Sequence, residues 1–81
     1  MPKIMIVDDD VITVTELIEA LRSSGYEIGG TAESGEEAVK MAKKTRPDLV
    51  LMDIVMPGKT DGIQAAKKIR EELNIPVIFL T

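Results

Sequence analysis

Cysteine and histidine are both absent from the 81 residues. Without cysteine there is no disulfide, no thiolate nucleophile and no thiolate metal site. Without histidine there is no imidazole base, no Ser-His-Asp triad and no conventional zinc centre. Tryptophan is missing too, and one Tyr and one Phe leave no platform on which bases could stack. Basic side chains are the minority: 10 Lys and Arg stand against 14 Asp and Glu, a net charge of −4. That balance argues against nucleic acid as a direct ligand. Long apolar runs are lacking. None approaches the roughly 18 residues of a membrane span, and the first, Ile4 to Val7, is too short for a signal peptide. No membrane partner and a cytoplasmic location are expected.

What remains is ordinary globular composition, 44% apolar and 30% charged, in a chain long enough for one small domain over residues 1–81 with a thin stability margin. The pattern alternates strand and helix. Lys3-Ile-Met-Ile-Val7 is a short apolar, β-rich run of the kind buried on both faces of a sheet. Val11 to Ser24 follows with Val14, Leu17, Ile18 and Leu21 on one helical face, and Gly25 closes it. Tyr26 to Thr31 is a weaker strand broken by Gly29 and Gly30, which places it near an edge. Ser34 with Glu37 forms a capping box for a helix that runs to about Lys44 and stops before Arg46-Pro47. Asp48 to Asp53 is a third strand, and Ile54 to Thr60 a loop with Pro57-Gly58. Asp61 can cap a helix from Gly62 to Leu73, with Ile63, Ala66, Ile69 and Leu73 facing inward, and Asn74 ends it. Ile75 to Leu80 is a fourth strand. Strands alternating with helices imply a parallel sheet with right-handed crossovers.

In such sheets ligands bind beyond the carboxyl ends of the strands. The first strand runs into Asp8-Asp9-Asp10 and the third ends on Asp53. If these strands are neighbours, the acids converge. Carboxylates about 5 Å apart repel by roughly 3 kcal/mol per pair at an effective dielectric near 20. A hard divalent cation offsets this best, and an acid cluster without His or Cys suits Mg²⁺. One carboxylate then remains as a nucleophile towards phosphorus, as in aspartyl-phosphates. A bland role competes: one of Asp8 to Asp10 is expected to cap the first helix. Asp48 and Asp61 read as a solvated acid and a cap. Lys40, Lys43, Lys44, Lys67 and Lys68 read as solvated helix faces, and Met52 and Met56 as packing. Thr81 follows the fourth strand, where its hydroxyl could contact a phosphate.

Together these residues resemble the receiver domain of two-component response regulators. The matching pieces are Ile-Met-Ile-Val-Asp8-Asp9-Asp10, then Pro47-Asp48-Leu-Val-Leu-Met-Asp53-Ile-Val-Met56-Pro57-Gly58, then Asp61-Gly62, then Pro76-Val-Ile-Phe-Leu-Thr81. The resemblance implies an α/β, flavodoxin-like (CheY-like) parallel sheet. It implies that Asp53 is the phosphoacceptor, taking a phosphoryl group from the phosphohistidine of a histidine kinase or phosphotransfer protein. Asp8 and Asp9 match the acid pair that holds Mg²⁺, and Val55 the position whose backbone carbonyl completes the metal shell. Thr81 matches the switch hydroxyl. Such a domain is a phosphoacceptor that promotes its own phosphorylation and dephosphorylation, not a turnover enzyme.

Two departures from the family pattern stand out. Lys59-Thr60 lengthens the loop between Gly58 and Asp61 by one residue. The chain stops at Thr81, whereas the family's fold continues through another helix, a fifth strand bearing a lysine that pairs with the phosphoacceptor, and a final helix. The sequence is therefore expected to be a C-terminally truncated receiver, with its fourth strand as an exposed edge that pairs with a second copy. Two other functions compete. One is a folded or oligomeric fragment without phosphotransfer competence. The other is a Mg²⁺-dependent Asp-nucleophile phosphohydrolase, disfavoured because Val55 stands where that chemistry needs a second Asp.

Overall fold

The structure is a computed structural model that describes residues 1–54 and 62–80. Its elements are β1 (Lys3–Val7), α1 (Val11–Ser23), β2 (Glu27–Ala32), α2 (Gly35–Thr45), β3 (Leu49–Asp53), α3 (Gly62–Leu73) and β4 (Val77–Leu80). All strand pairs are parallel, in the order β2-β1-β3-β4. The chain steps one way from β1 to β2, then back over β1 to β3 and on to β4. With right-handed crossovers this reversal puts α1 on one face of the sheet and α2 and α3 on the other.

Side-chain alternation along the strands divides the core accordingly. Met5 and Val7 of β1 and Val50 and Met52 of β3 form one cluster with Ala38 and Ala42 of α2 and Ala65, Ala66 and Ile69 of α3. Val77 and Phe79 of β4 pack against it. Ile4 and Ile6, also buried, face the α1 side. So do Leu49, Leu51, Ile78 and Leu80 by the same alternation.

Element ends follow local chemistry. Asp10 caps α1: its carboxylate accepts from the Ile12 N–H at 3.1 Å and from the Thr13 hydroxyl at 2.8 Å. Helix α1 ends one residue before Ser24, with Gly25 beyond it at φ 91°. Ser34 Oγ accepts from the Glu37 N–H at 3.2 Å, while the Glu37 carboxylate reaches back to the Glu33 N–H at 3.1 Å, one residue before the cap that a strict box would serve. Helix α2 stops at Arg46-Pro47 through a left-handed Arg46 (φ 48°) rather than an extended one, because that conformation lets the Arg46 N–H bond the Ala42 carbonyl. The left-handed Asn74 (φ 57°) similarly follows α3.

Several expectations need correction. Strand β2 lies one residue later than Tyr26 to Thr31, at the sheet edge as expected. Its register with β1 jumps from Ile4↔Ile28 to Met5↔Gly30, and Gly30 (φ 137°) supplies the backbone that this irregularity requires. Strand β4 starts at Val77 rather than Ile75, since Asn74 turns the chain and Pro76 has no N–H to donate; its carbonyl still accepts from Val50 at 3.0 Å. On α3, Ile63 is 56% exposed and does not face inward. The helix seats instead on Gly62, Ala65, Ala66 and Ile69, small residues that bring its axis close to the sheet. None of the residues of α1 is fully buried. Of the remaining expectations, the Asp61 cap, Val55, Met56, the 55–60 loop and Thr81 lie outside the described residues.

Candidate functional site

The carboxyl ends of all four strands lie along one edge of the sheet. At its centre β1 and β3 are paired through Val7↔Met52, so the residues that follow, Asp8 and Asp53, sit side by side. Carboxylate oxygens of Asp8, Asp9 and Asp53 lie within 4.8 Å of one another. The structure thus brings three of the sequence's acids together and assigns the fourth elsewhere, because the Asp10 carboxylate is taken by the N-terminus of α1. Asp48 lies at the opposite end of β3 and accepts from the Lys3 N–H at 2.7 Å.

The three acids differ in environment. Asp8 is buried, 7% exposed. Its backbone N–H donates to the Ala32 carbonyl at 3.0 Å, which ties the end of β1 to β2. Its side chain accepts from the Asp10 N–H at 2.9 Å. Asp9 is exposed and Asp53 half-buried. Burial pushes the Asp8 carboxyl above its ordinary value, and the charges of Asp53, Asp9 and Asp10 push the same way, opposed by the hydrogen bond from Asp10. Without a cation Asp8 therefore resists ionisation.

The donor set fits a hard cation. It consists of carboxylate oxygens alone, one anchored and one open to water, with no nitrogen or sulfur that a softer metal would prefer. A cavity beside Asp8, between α1 and the end of β2, is lined in part by Thr15, Thr31 and Glu33.

Sequence reasoning passed over Gly62 as anything more than part of a motif. It is buried at the start of α3, and its N–H donates to the Ile54 carbonyl at 3.2 Å, directly after Asp53. The Asp-Gly pair at a helix start was the available signal, but a helix-start glycine gives no hint of what it approaches.

Comparison with known proteins bears on this arrangement. The profile of the response regulator receiver domain family matches residues 4–81. The chain is 43% identical over 79 residues to the transcriptional regulatory protein PdtaR of Mycobacterium tuberculosis (strain H37Rv), a match covering 98% of the chain and 38% of that protein. It thus spans well under half the length of this relative. Among solved structures, the signal receiver domain of a modulated diguanylate cyclase from Desulfovibrio desulfuricans G20 superposes with a TM-score of 0.93 at 38% identity, over 98% of this chain and 63% of that one. A chain of the CheX-CheY complex with BeF3 and Mg from Borrelia burgdorferi gives a TM-score of 0.87 at 41% identity, over 95% of this chain and 59% of that one.

Proposed function

The chain belongs to the response regulator receiver domain family, and on that premise we propose that residues 1–81 act as one phosphoacceptor module of a two-component or phosphorelay system. Asp53 accepts the phosphoryl group from the phosphohistidine of a histidine kinase or phosphotransfer protein. The observation that carries this reading is the convergence of Asp8, Asp9 and Asp53 within 4.8 Å at the carboxyl ends of adjacent strands.

The chemistry is a displacement at phosphorus. A carboxylate oxygen of Asp53 forms the new P–O bond while the P–N bond of the donor breaks, and the departing imidazole takes up a proton from solvent. Asp8 and Asp9 would hold Mg²⁺ together with Asp53 and the Val55 carbonyl. When bound, Mg²⁺ neutralises the charge on the acids and on the phosphoryl oxygens. The residues themselves mainly position. Asp8, fixed by the Asp10 N–H, offers a rigid oxygen, and the paired ends of β1 and β3 set the approach of Asp53. Thr81 is assigned the switch hydroxyl. The module is not a turnover enzyme, and a cytoplasmic setting suits a phosphohistidine donor. No described helix is long and apolar enough to cross a membrane.

Incubation with Mg²⁺ and phosphoramidate, a small P–N donor, tests the reading. Intact-mass measurement is expected to show one added phosphoryl group, absent with chelator and absent in Asp53→Asn. A chain that gains nothing, or gains it equally as Asp53→Asn, would refute the assignment.

A second copy is the further partner proposed, pairing through the β4 edge. Strand β4 pairs only with β3 among the described residues, and Ile78 is 53% exposed beside it. Light scattering at high micromolar concentration is expected to give a dimer, and Ile78→Lys a monomer. A wild-type monomer would rule this interface out.

A further inference from the structure

We infer that Gly62 is a positioning residue for Asp53, and that the missing side chain at the start of α3 sets where the acceptor carboxylate sits. The inference rests on the reading of Asp53 given above and assigns a determinant of that site outside the acids themselves.

Space, not backbone freedom, is the reason for a glycine here. The described glycines with positive φ are Gly25 and Gly30, and Gly62 is not among them. A Cβ at Gly62 would instead collide with the Asp53 carbonyl oxygen, and would lie 2.8 Å from the Ile54 carbonyl oxygen and 2.9 Å from the Ile54 Cα. All three are backbone atoms. At Gly29, by contrast, a Cβ would meet the Cγ and Cδ of Lys3, part of a flexible side chain that can swing aside. Helix α3 meets the peptide joining Asp53 to Ile54 with no room for a side chain between them, held there by the Gly62 N–H on the Ile54 carbonyl.

Two bodies meet at this contact, and one is better anchored. Ala65, Ala66 and Ile69 hold α3 against Val50 and Met52 in the core. Asp53 is the last residue of its strand and is paired on one side only, with Leu80 of β4, while the β1 pairing ends at Met52. An added methyl therefore displaces the Asp53–Ile54 peptide more readily than the helix, and the Asp53 carboxylate moves with it. Displacements approaching 1 Å at a reacting group can lower rates by about a hundredfold.

The test compares Gly62→Ala with Ile69→Val. The latter loosens the packing of the same helix without touching Asp53. Mg²⁺ affinity is measured by calorimetry and the phosphoramidate reaction by mass, each at a temperature where urea titration shows the variant folded. Gly62→Ala is expected to weaken Mg²⁺ binding and slow phosphorylation by about tenfold or more, while Ile69→Val stays within about twofold of the parent chain. Gly62→Ala within about twofold for Mg²⁺, or an equal loss in Ile69→Val, overturns the inference. If Gly62→Ala does not fold, amide spectra of the unaltered chain decide: the Gly62 resonance must move with Mg²⁺ in step with that of Asp53, and an unmoved Gly62 refutes the coupling. A parent chain that binds Mg²⁺ but is never phosphorylated would sink the phosphoacceptor reading alone, leaving the Mg²⁺ arm to decide the role of Gly62.

Discussion

The two faces of the sheet are built to different standards. On the α2 and α3 side, Met5, Val7, Val50, Met52, Ala38, Ala42, Ala65, Ala66 and Ile69 are all sealed from solvent. On the α1 side a single described helix covers the sheet. Beneath it Ile4 and Ile6 of the central strand are sealed, but Val14, Leu17, Ile18 and Leu21 are only half-buried, as are Leu49 and Leu51, and Ile78 is exposed. Small residues explain the first face, since Ala38, Ala42, Ala65 and Ala66 let two helices nest closely over one sheet. The second face shows that an amphipathic helix secures its own formation without securing full burial. Stability is therefore concentrated on one side, while the acid cluster sits on the seam between the two.

Substitutions should reveal this contrast, and the largest effect is expected in the sealed face. Ile69→Ala removes a fully buried side chain and should cost about 2–5 kcal/mol, much of the roughly 4–12 kcal/mol a chain of this size commands. Leu17→Ala on the open face should cost about 1 kcal/mol, because a half-buried side chain loses less area and leaves no closed cavity. Urea titration of both variants measures the ratio. Equal losses would mean that the two faces are equally packed.

At the seam the expected sign reverses. Asp8→Asn keeps the oxygen that accepts from the Asp10 N–H but removes a buried negative charge beside two others. Asp9 is exposed and Asp53 only half-buried, so water screens the repulsion well below its value at a dielectric of about 20. Relief of repulsion on the order of 1 kcal/mol should raise the melting temperature of the chelator-treated chain by about 4–8 °C, and the same change should abolish Mg²⁺ binding. The pH dependence follows from the raised carboxyl of Asp8. Its folded form keeps a proton to higher pH than the unfolded chain does. Stability from this group is thus present below the ordinary Asp value of 3.8 and is lost as pH rises through the raised one. Melting of the parent chain in chelator should therefore drop across that interval, and the drop should vanish in Asp8→Asn and shrink with Mg²⁺. A parent chain whose stability rises through the same interval would contradict the assigned strain.

Smaller effects belong to the open face. Asp10→Ala strips the cap from α1 and should cost about 1 kcal/mol by urea titration, with faster amide exchange confined to the first turn of that helix. Ile78→Thr, at an already exposed position, should change the stability of the isolated chain by no more than about 0.5 kcal/mol. A larger loss at dilution, where no second copy contributes, would show that Ile78 is covered and that the contrast between the faces is overstated.

Much of this was legible in the amino-acid order. The helix from Gly62 to Leu73 and the strand from Lys3 to Val7 have the bounds their periodicity implies, because caps, glycines and apolar spacing act over a few residues. Asp8, Asp9 and Asp53 stood out because strand ends carry the ligands of parallel sheets. Ile63 was misread because an apolar residue at helical spacing gives no sign of whether a partner faces it. Alanines, weak signals alone, form the buried stripe of α3 instead. Which acid of the Asp8–Asp10 triplet caps α1 was equally open in sequence, since all three have the chemistry and only the exit angle of β1 selects Asp10.

Sequence by itself determined the alternation of strand and helix, the oxygen-only chemistry of the acids and the absence of any thiol or imidazole, since these are properties of residues and their nearest neighbours. Tertiary structure alone decided that β1 and β3 are adjacent, that Asp8 is buried while Asp9 is open to water, and that Gly62 presses on the backbone of Asp53. Each of these depends on atoms far apart in the chain, and only the packing of helices against a twisted sheet brings them within contact distance.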